Sequence, residues 1–227
     1  MGREDCSKQS PTLTKVKTVA VILSSALLCY LIINLSLYSF THDFPLLFIP
    51  SLFLGYILAD FITGAIHWFC DSFFNEKTPV IGRLIIYPFR EHHLYPLLIT
   101  EDKFIEQDTT SFFIFMPFLY HAIFIDNNYL DNPNLIHIHF LLIGVCIGTF
   151  CTNLFHKWAH QKNENFIILR LQKLGLILSY DNHKKHHNNY SRSYCVTSGI
   201  LNHVLDYLNF FPKLETAIRS SLNVFRK

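Results

Sequence analysis

The chain has 227 residues, enough for one domain with extensions. Half of them are hydrophobic and only 16% are charged, with Phe at 22 positions, which excludes a disordered chain and an ordinary soluble domain. A net charge of +2, with no basic stripe interleaved with aromatics, excludes nucleic acid as a partner.

Residues 1–15 are polar and read as a short cytoplasmic extension. The opening MGREDCS approaches a myristoylation signal but places Cys6 where Ser or Thr is required. Glu4 and Asp5 are acids that a transit peptide avoids. VKTVAVILSSALLCYLIINLSLYSF (16–40) reads as a first transmembrane anchor, because about 20 apolar residues cross a bilayer as a helix. It is too long for a cleaved signal. FPLLFIPSLFLGYILADFITGAIHWF (44–69) is a second span and opens the region 44–212 that carries the chemistry. SFFIFMPFLYHAIFI (111–125) is short for a span and contains Pro117. LIHIHFLLIGVCIGTFCTNLF (135–155) is a further span, with Gly144 and Gly148 at a spacing that either marks a close helix contact or is accidental.

After residue 156 no long apolar run remains. FIILRLQKLGLIL (166–178) carries Arg170 and Lys173 on one side, and the tail 213–227 repeats Leu214, Ile218, Leu222 and Phe225 near helical period. Each is read as a helix that either lies on the membrane surface or packs against the rest of the chain. The six cysteines form no CxxC pair and three lie inside apolar runs, which argues for a reducing compartment and against a disulfide framework.

All 19 Lys and Arg fall before residue 18, between 77 and 103, or after 156. Under the positive-inside rule both termini then face the cytoplasm, whether 111–155 supplies two spans or one re-entrant hairpin. The expected fold is all-α: a multi-pass membrane helical bundle of about four transmembrane helices with a cytoplasmic, histidine-rich metal-binding cap. That topology places the chain in the endoplasmic reticulum of a eukaryote or the inner membrane of a bacterium.

His42, His121, His137 and His139 lie outside or within spans, but eight of the 13 histidines sit at metal-ligand spacings on that cytoplasmic side. His67 ends the second span; His92 and His93 are adjacent in FREHHLYP; His156 and His160 form HxxxH; His183, His186 and His187 form HxxHH in YDNHKKHHNNY. Positions four apart share one helix face with Cβ atoms about 5–6 Å apart, so one metal ion is within reach of both. His67 and Asp71 repeat this spacing in HWFCD. Eight imidazoles, with Asp71 and Glu91 as the nearby catalytic carboxylates, exceed the three or four ligands of a single zinc and suffice for two ions. Imidazole suits zinc, copper, iron or nickel, so ligand type does not choose among them. The chain has neither HExxH nor GxSxG. A site at the bilayer surface meets acyl and alkyl chains, whose C–H bonds need an oxidant, and zinc has no redox chemistry. Two Fe ions activating O2 are the expectation. Asp60 lies two turns before His67, inside the span, where a carboxylate is costly unless paired or functional; it reads as a partner behind the ligands, a helix anchor or a plain buried hydrogen bond.

ADFITGAIHWFCD (59–71), FREHHLYPLLITEDKFIE (89–106), NLFHKWAH (153–160), LQKLGLILSYDNHKKHH (171–187) and YCVTSGILN (194–202) resemble the Kua-type lipid desaturases. That family includes animal plasmanylethanolamine desaturase, bacterial light-response homologues and plant chloroplast fatty acid desaturase 4. The resemblance covers roughly residues 50–212. It implies iron ligation by His67, His92, His93, His156, His160, His183, His186 and His187, with Asp71 matching a carboxylate of the family's first motif. It also implies removal of two hydrogens from a phospholipid chain with O2 and electrons from a small donor. The chain carries no CxxCH, so the donor is expected to be a partner such as cytochrome b5 or ferredoxin.

The chain departs from the animal pattern after the His pair. Leu94 and Tyr95 stand where that branch has Ile-Asp, Asp102 where a further histidine is usual, and residues 108–111 where it has NGDN; Ile200 stands where Trp is frequent. The expected reaction converts the alkyl ether of plasmanylethanolamine to the vinyl ether of a plasmalogen. Acyl-lipid desaturation, hydroxylation at the same site and a non-catalytic metal-binding membrane sensor remain the alternatives.

Overall fold

The computed structural model describes residues 11–41, 48–101, 109–126, 133–161 and 165–224, and all regular structure within them is helical. In chain order the helices are α1 (Pro11–Thr41), α2 (Phe48–Ser72), a π-helical turn (Gly82–Ile86), α3 (Tyr87–Leu94), α4 (Leu98–Glu101), α5 (Thr109–Asp126), α6 (Pro133–His160), α7 (Phe166–Lys173), α8 (Tyr180–Asn188), α9 (Asn202–Tyr207) and α10 (Phe210–Val224). They divide into two compact units, Met1–Ala59 with Asp102–Leu154, and Asp60–Glu101 with Phe155–Lys227.

In the first unit, Leu28, Leu31 and Leu35 of α1 recur at three and four residues and bury one stripe against Phe115, Leu119 and Ala122 of α5 and Ile143 and Cys146 of α6. The other face of α1 is equally apolar, with Val19, Ile22, Leu23, Tyr30, Ile33 and Leu37 exposed. A helix with apolar residues on a face that no protein covers is matched to lipid rather than water. Thr18–Tyr38, Phe48–Ser72 and Leu135–His160 are long and apolar enough to cross a bilayer, whereas the apolar stretch Phe115–Phe124 of α5 is shorter and α5 holds Pro117 in its interior.

Helices α2 and α6 touch backbone to backbone in this unit. A Cβ on Gly55 would collide with the carbonyl oxygen of Leu141, one on Gly144 with the carbonyl oxygen of Leu52, and one on Gly148 with Ala59 Cβ. The Gly144/Gly148 spacing is therefore a true packing seam, and Gly55 is its counterpart on α2.

The second unit is built on two small cores. Trp68, Tyr194 and Phe211 form one, covered by Leu205, Leu214 and Ile218, and Ala159, Leu178 and Val196 form the other. Of the two readings of the tail helix, Leu214 and Ile218 take the packed one. Arg219 Nη2 also donates to the Ser72 carbonyl at 2.6 Å, and Ser72 Oγ donates to Glu215 Oε2 at 2.8 Å, tying α10 to the end of α2. Leu222 is exposed, and Phe225, Asp102 and Asp108 lie outside the described residues. Helix α7 buries none of its residues. It starts on Asn165, whose side chain accepts from Ile167 N at 2.9 Å, and stops where Gly175 adopts φ 70° and lets Leu176 N–H reach the Leu171 carbonyl at 3.0 Å.

Candidate metal centre

Four helices deliver the histidines, α2 and α6 through their C-terminal ends, which lie in the second unit with α3 and α8. The one-turn spacing on α2 brings His67 Nε2 to 3.3 Å from Asp71 Oδ2. The same spacing on α6 sets the rings of His156 and His160 5.2 Å apart. Helix α8 is started by Ser179, whose hydroxyl accepts from Asn182 N at 3.3 Å, and it turns His183, His186 and His187 inward. Helix α3 supplies His92 and His93.

These side chains gather into two groups. His92, His160, His183 and His187 form one, and His67, Asp71, His93 and His186 the other; within each group the ligand atoms all lie within 4.8 Å of one another. In the first, Nε2 to Nε2 distances are 3.1 Å for His160–His92, 3.2 Å for His187–His92 and 2.9 Å for His187–His183. His156 joins it through a 2.8 Å approach to His183 Nε2. In the second, Asp71 Oδ2 lies 3.3 Å, 3.4 Å and 3.6 Å from Nε2 of His67, His93 and His186. The groups adjoin: the rings of His93 and His187 are 5.6 Å apart, and those of His186 and His187 5.9 Å. Neighbours in sequence are thus divided, His92 from His93 and His187 from His186, because adjacent positions on a helix point about 100° apart.

The proton positions in the second group follow from its partners. His186 Nδ1 is 2.8 Å from the Arg192 carbonyl, and His67 Nδ1 is 3.2 Å from the Tyr194 carbonyl. A carbonyl only accepts, so each Nδ1 carries the proton and each Nε2 presents a lone pair. Those lone pairs face Asp71 Oδ2, which has no hydrogen-bond partner among the described residues. Acceptors aimed at one another repel unless a cation lies between them. Metal–ligand bonds of about 2.0–2.2 Å span nearly the separations found here. The donor set, imidazole nitrogen with one carboxylate, fits a first-row transition metal ion.

Burial completes the preparation. His67, His183 and His186 are almost inaccessible, whereas His92, His93, His160 and His187 are half-buried. Burial, reinforced by the His187 and Arg90 charges, holds His93 at about 4. Burial holds His186 at about 3, against the pull of the Arg192 carbonyl and with His93, His187 and His160 reinforcing it. His92 and His183 are pushed down by burial and then by His160, and His187 by burial. Above about pH 6.5 these imidazoles are neutral, the form that binds a metal.

Glu91 stands apart from both groups: its Oε1 accepts from Tyr87 O–H at 2.9 Å. Arg90 donates through Nη2 to the Phe74 carbonyl at 2.6 Å, Lys185 Nζ to Asn182 Oδ1 at 3.0 Å, and Lys184 lies over the Tyr180 ring at 5.7 Å. Two features escaped the sequence reading. Tyr190 lies against His93 with ring centroids 4.4 Å apart, and the segment 192–202 supplies the carbonyls that orient His67 and His186. Apart from Arg192 and Ser193 the latter is YCVTSGILN (194–202), in which no residue type marks the carbonyl that is used.

A lipid desaturase domain family matches residues 56–225, a stretch that contains every histidine of both groups. The chain belongs to this family. A plasmanylethanolamine desaturase of Myxococcus xanthus is 34% identical over 173 residues, which are 76% of this chain and 60% of that protein. Plasmanylethanolamine desaturase 1 of Mus musculus is 30% identical over 223 residues, 96% of this chain and 82% of the mouse protein. The chloroplastic fatty acid desaturase 4-like 2 of Arabidopsis thaliana is 34% identical over 180 residues, 77% of this chain and 62% of that protein. The chain thus spans less than two thirds of the bacterial and plant relatives. No solved structure matches this chain.

Proposed function

We propose that this chain is a membrane oxidoreductase that desaturates a phospholipid chain, and that its substrate is the alkyl ether of plasmanylethanolamine. The observation that carries this reading is the pair of adjoining imidazole-rich groups, eight histidines and Asp71, with ring nitrogens converging in each. The choice of ether lipid rests on the bacterial and mouse relatives, the latter alignable over nearly the whole chain. The net reaction joins O2, two electrons and two protons to the two hydrogens removed from adjacent carbons, giving one double bond and two waters. Two iron ions, when bound, supply the redox chemistry that an unactivated C–H bond requires.

The residues of the chain have separable tasks in this proposal. His92, His160, His183 and His187, with His156 beside them, hold one ion. His67, His93, His186 and Asp71 hold the other, and Asp71 contributes the negative charge that offsets it. Glu91, bonded to Tyr87, supports the helix that carries His92 and His93. Exposed Leu94, Tyr95 and Leu97, directly after that pair, offer an apolar approach for the alkyl chain. The centre faces the cytoplasm, and electrons come from a partner such as cytochrome b5 or ferredoxin.

A second reading, acyl-chain desaturation, is favoured by the equal identity to the Arabidopsis relative. The two separate in bilayers containing both 1-alkyl-2-acyl phosphatidylethanolamine and diacyl phosphatidylglycerol, with purified iron-loaded protein, a reductase system and O2. An acid-labile vinyl ether is the expected product. A new acyl double bond selects the second reading, a retained hydroxyl makes the protein a hydroxylase, and unchanged lipid contradicts both desaturase readings.

A further inference from the structure

Asp60 is completely buried on α2, inside a span, and among the described residues it forms no ion pair. Its carboxylate instead collects backbone amides. Oδ1 accepts from Thr197 N at 3.1 Å, Ser198 N at 2.8 Å and Gly199 N at 3.0 Å, and Oδ2 faces Leu201 N at 3.3 Å. Four N–H groups converging on one carboxylate stabilise a buried negative charge without a counter-ion. They also fix the conformation of the segment that donates them.

That segment is pinned along its length. Thr63 and Thr197 share a hydroxyl hydrogen bond at 2.9 Å, and Gly64 leaves room for Cys195, whose Sγ a Cβ there would meet at 2.6 Å. Asn202 closes the turn by accepting from Cys195 N and donating to the Cys195 carbonyl, both at 2.9 Å. Asp206 accepts from Ser193 N at 2.8 Å. The carbonyls of Arg192 and Tyr194, at the front of the segment, are the ones that hold Nδ1 of His186 and His67. Both histidines belong to one group, with His93 and Asp71. In the other group, Nδ1 of His92 and of His183 has no hydrogen-bond partner among the described residues.

We infer that Asp60 is a positioning residue for one of the two metal sites only. By clamping residues 197–201 it sets the carbonyls that fix the tautomer and aim of His67 and His186, and the His92/His160/His183/His187 site forms without it. Partners behind a ligand typically govern 10–100-fold in metal affinity, which is the size of effect expected here.

The inference rests on the proposed two-ion centre, and one experiment tests both separately. Full-length wild type, Asp60→Asn and His186→Ala are purified in detergent, checked for helicity and monodispersity, stripped and titrated with Co(II), with bound metal and visible absorption recorded. Wild type is expected to bind two ions. Asp60→Asn is expected to keep one near wild-type affinity and to lose or weaken the second 10–100-fold, with the same missing band as His186→Ala. Asp60→Glu, which restores the charge at a changed reach, is expected to recover part of that band. Two ions of undiminished affinity in Asp60→Asn overturn the inference, as does equal weakening of both ions, which a general loss of stability produces. Fewer than two ions in wild type overturn the two-ion centre instead. If Asp60→Asn does not fold, Asn202→Asp serves as the second variant, because it disturbs the Cys195 turn from the opposite side; its effect must again fall on one ion.

Discussion

At the residue scale, the centre is a set of neutral imidazoles kept neutral by burial. His93 and His186 are held at about 4 and about 3, below the usual 6.5 of a histidine. In the unfolded chain these groups take up protons as pH falls through about 6.5, while the folded chain does not. Their contribution to stability is therefore complete above about 6.5 and is lost as pH falls toward 4. We expect the metal-free protein to lose thermal midpoint steeply as pH falls from 6.5 to 4. A midpoint that rises on acidification would reverse the sign and show that the histidines gain protons on folding. Spacing made His156 with His160, His183 with His186 and His187, and His67 with Asp71 legible, because a metal held by a helix needs ligands three or four residues apart, whereas His92 and His93 stood out only as an adjacent pair. The division of the histidines was not legible: His186 and His187 belong to one motif but to different groups, since adjacent positions diverge around the helix. Nor were the Arg192 and Tyr194 carbonyls, because every residue carries one and no residue type marks it. Asp60 stood out as an intramembrane acid, yet its partners are backbone amides that sequence cannot name.

At the element scale, what stands out is how closely α2 and α6 approach. Gly55, Gly144 and Gly148 leave no room for a methyl group, and the clashing atoms at the first two are backbone carbonyls, which cannot move aside as a side chain can. Replacing Gly144 by Ala should cost about 1–3 kcal/mol, the usual range for overpacking. Thermal unfolding in detergent reads this, with Gly175 as a contrasting position, since a Cβ there meets nothing and only its φ of 70° is disturbed. Unaltered stability in Gly144→Ala would mean that the helices stand further apart. The sequence offered Gly144 and Gly148 as a motif but concealed Gly55, because a lone glycine in an apolar run has no periodic partner. The tail helix shows the opposite limit. Its period was visible, yet only tertiary packing on Trp68, Tyr194 and Phe211 decides that Leu214 and Ile218 turn inward.

At the scale of the whole molecule, the all-helical architecture followed from composition, because a chain that is half apolar and rich in runs near 20 residues can satisfy its backbone in lipid by helix alone. Among the described residues, three helices meet the length and hydropathy of a span. Residues 111–125, already marked as short and interrupted by Pro117, form a helix whose apolar stretch is shorter than the rest. The family follows from five separated motifs, and the domain match over residues 56–225 covers the entire metal centre.

Whether this histidine centre oxidises a lipid chain can be read in cells that make alkyl-ether phospholipids but lack vinyl ethers. Wild type and His186→Ala are expressed side by side, with equal protein levels and an active electron donor confirmed, and the lipids are resolved by mass spectrometry before and after acid. Acid-labile vinyl-ether phosphatidylethanolamine from wild type alone is the expected result. Identical lipid profiles from the two chains would contradict lipid oxidation at this centre.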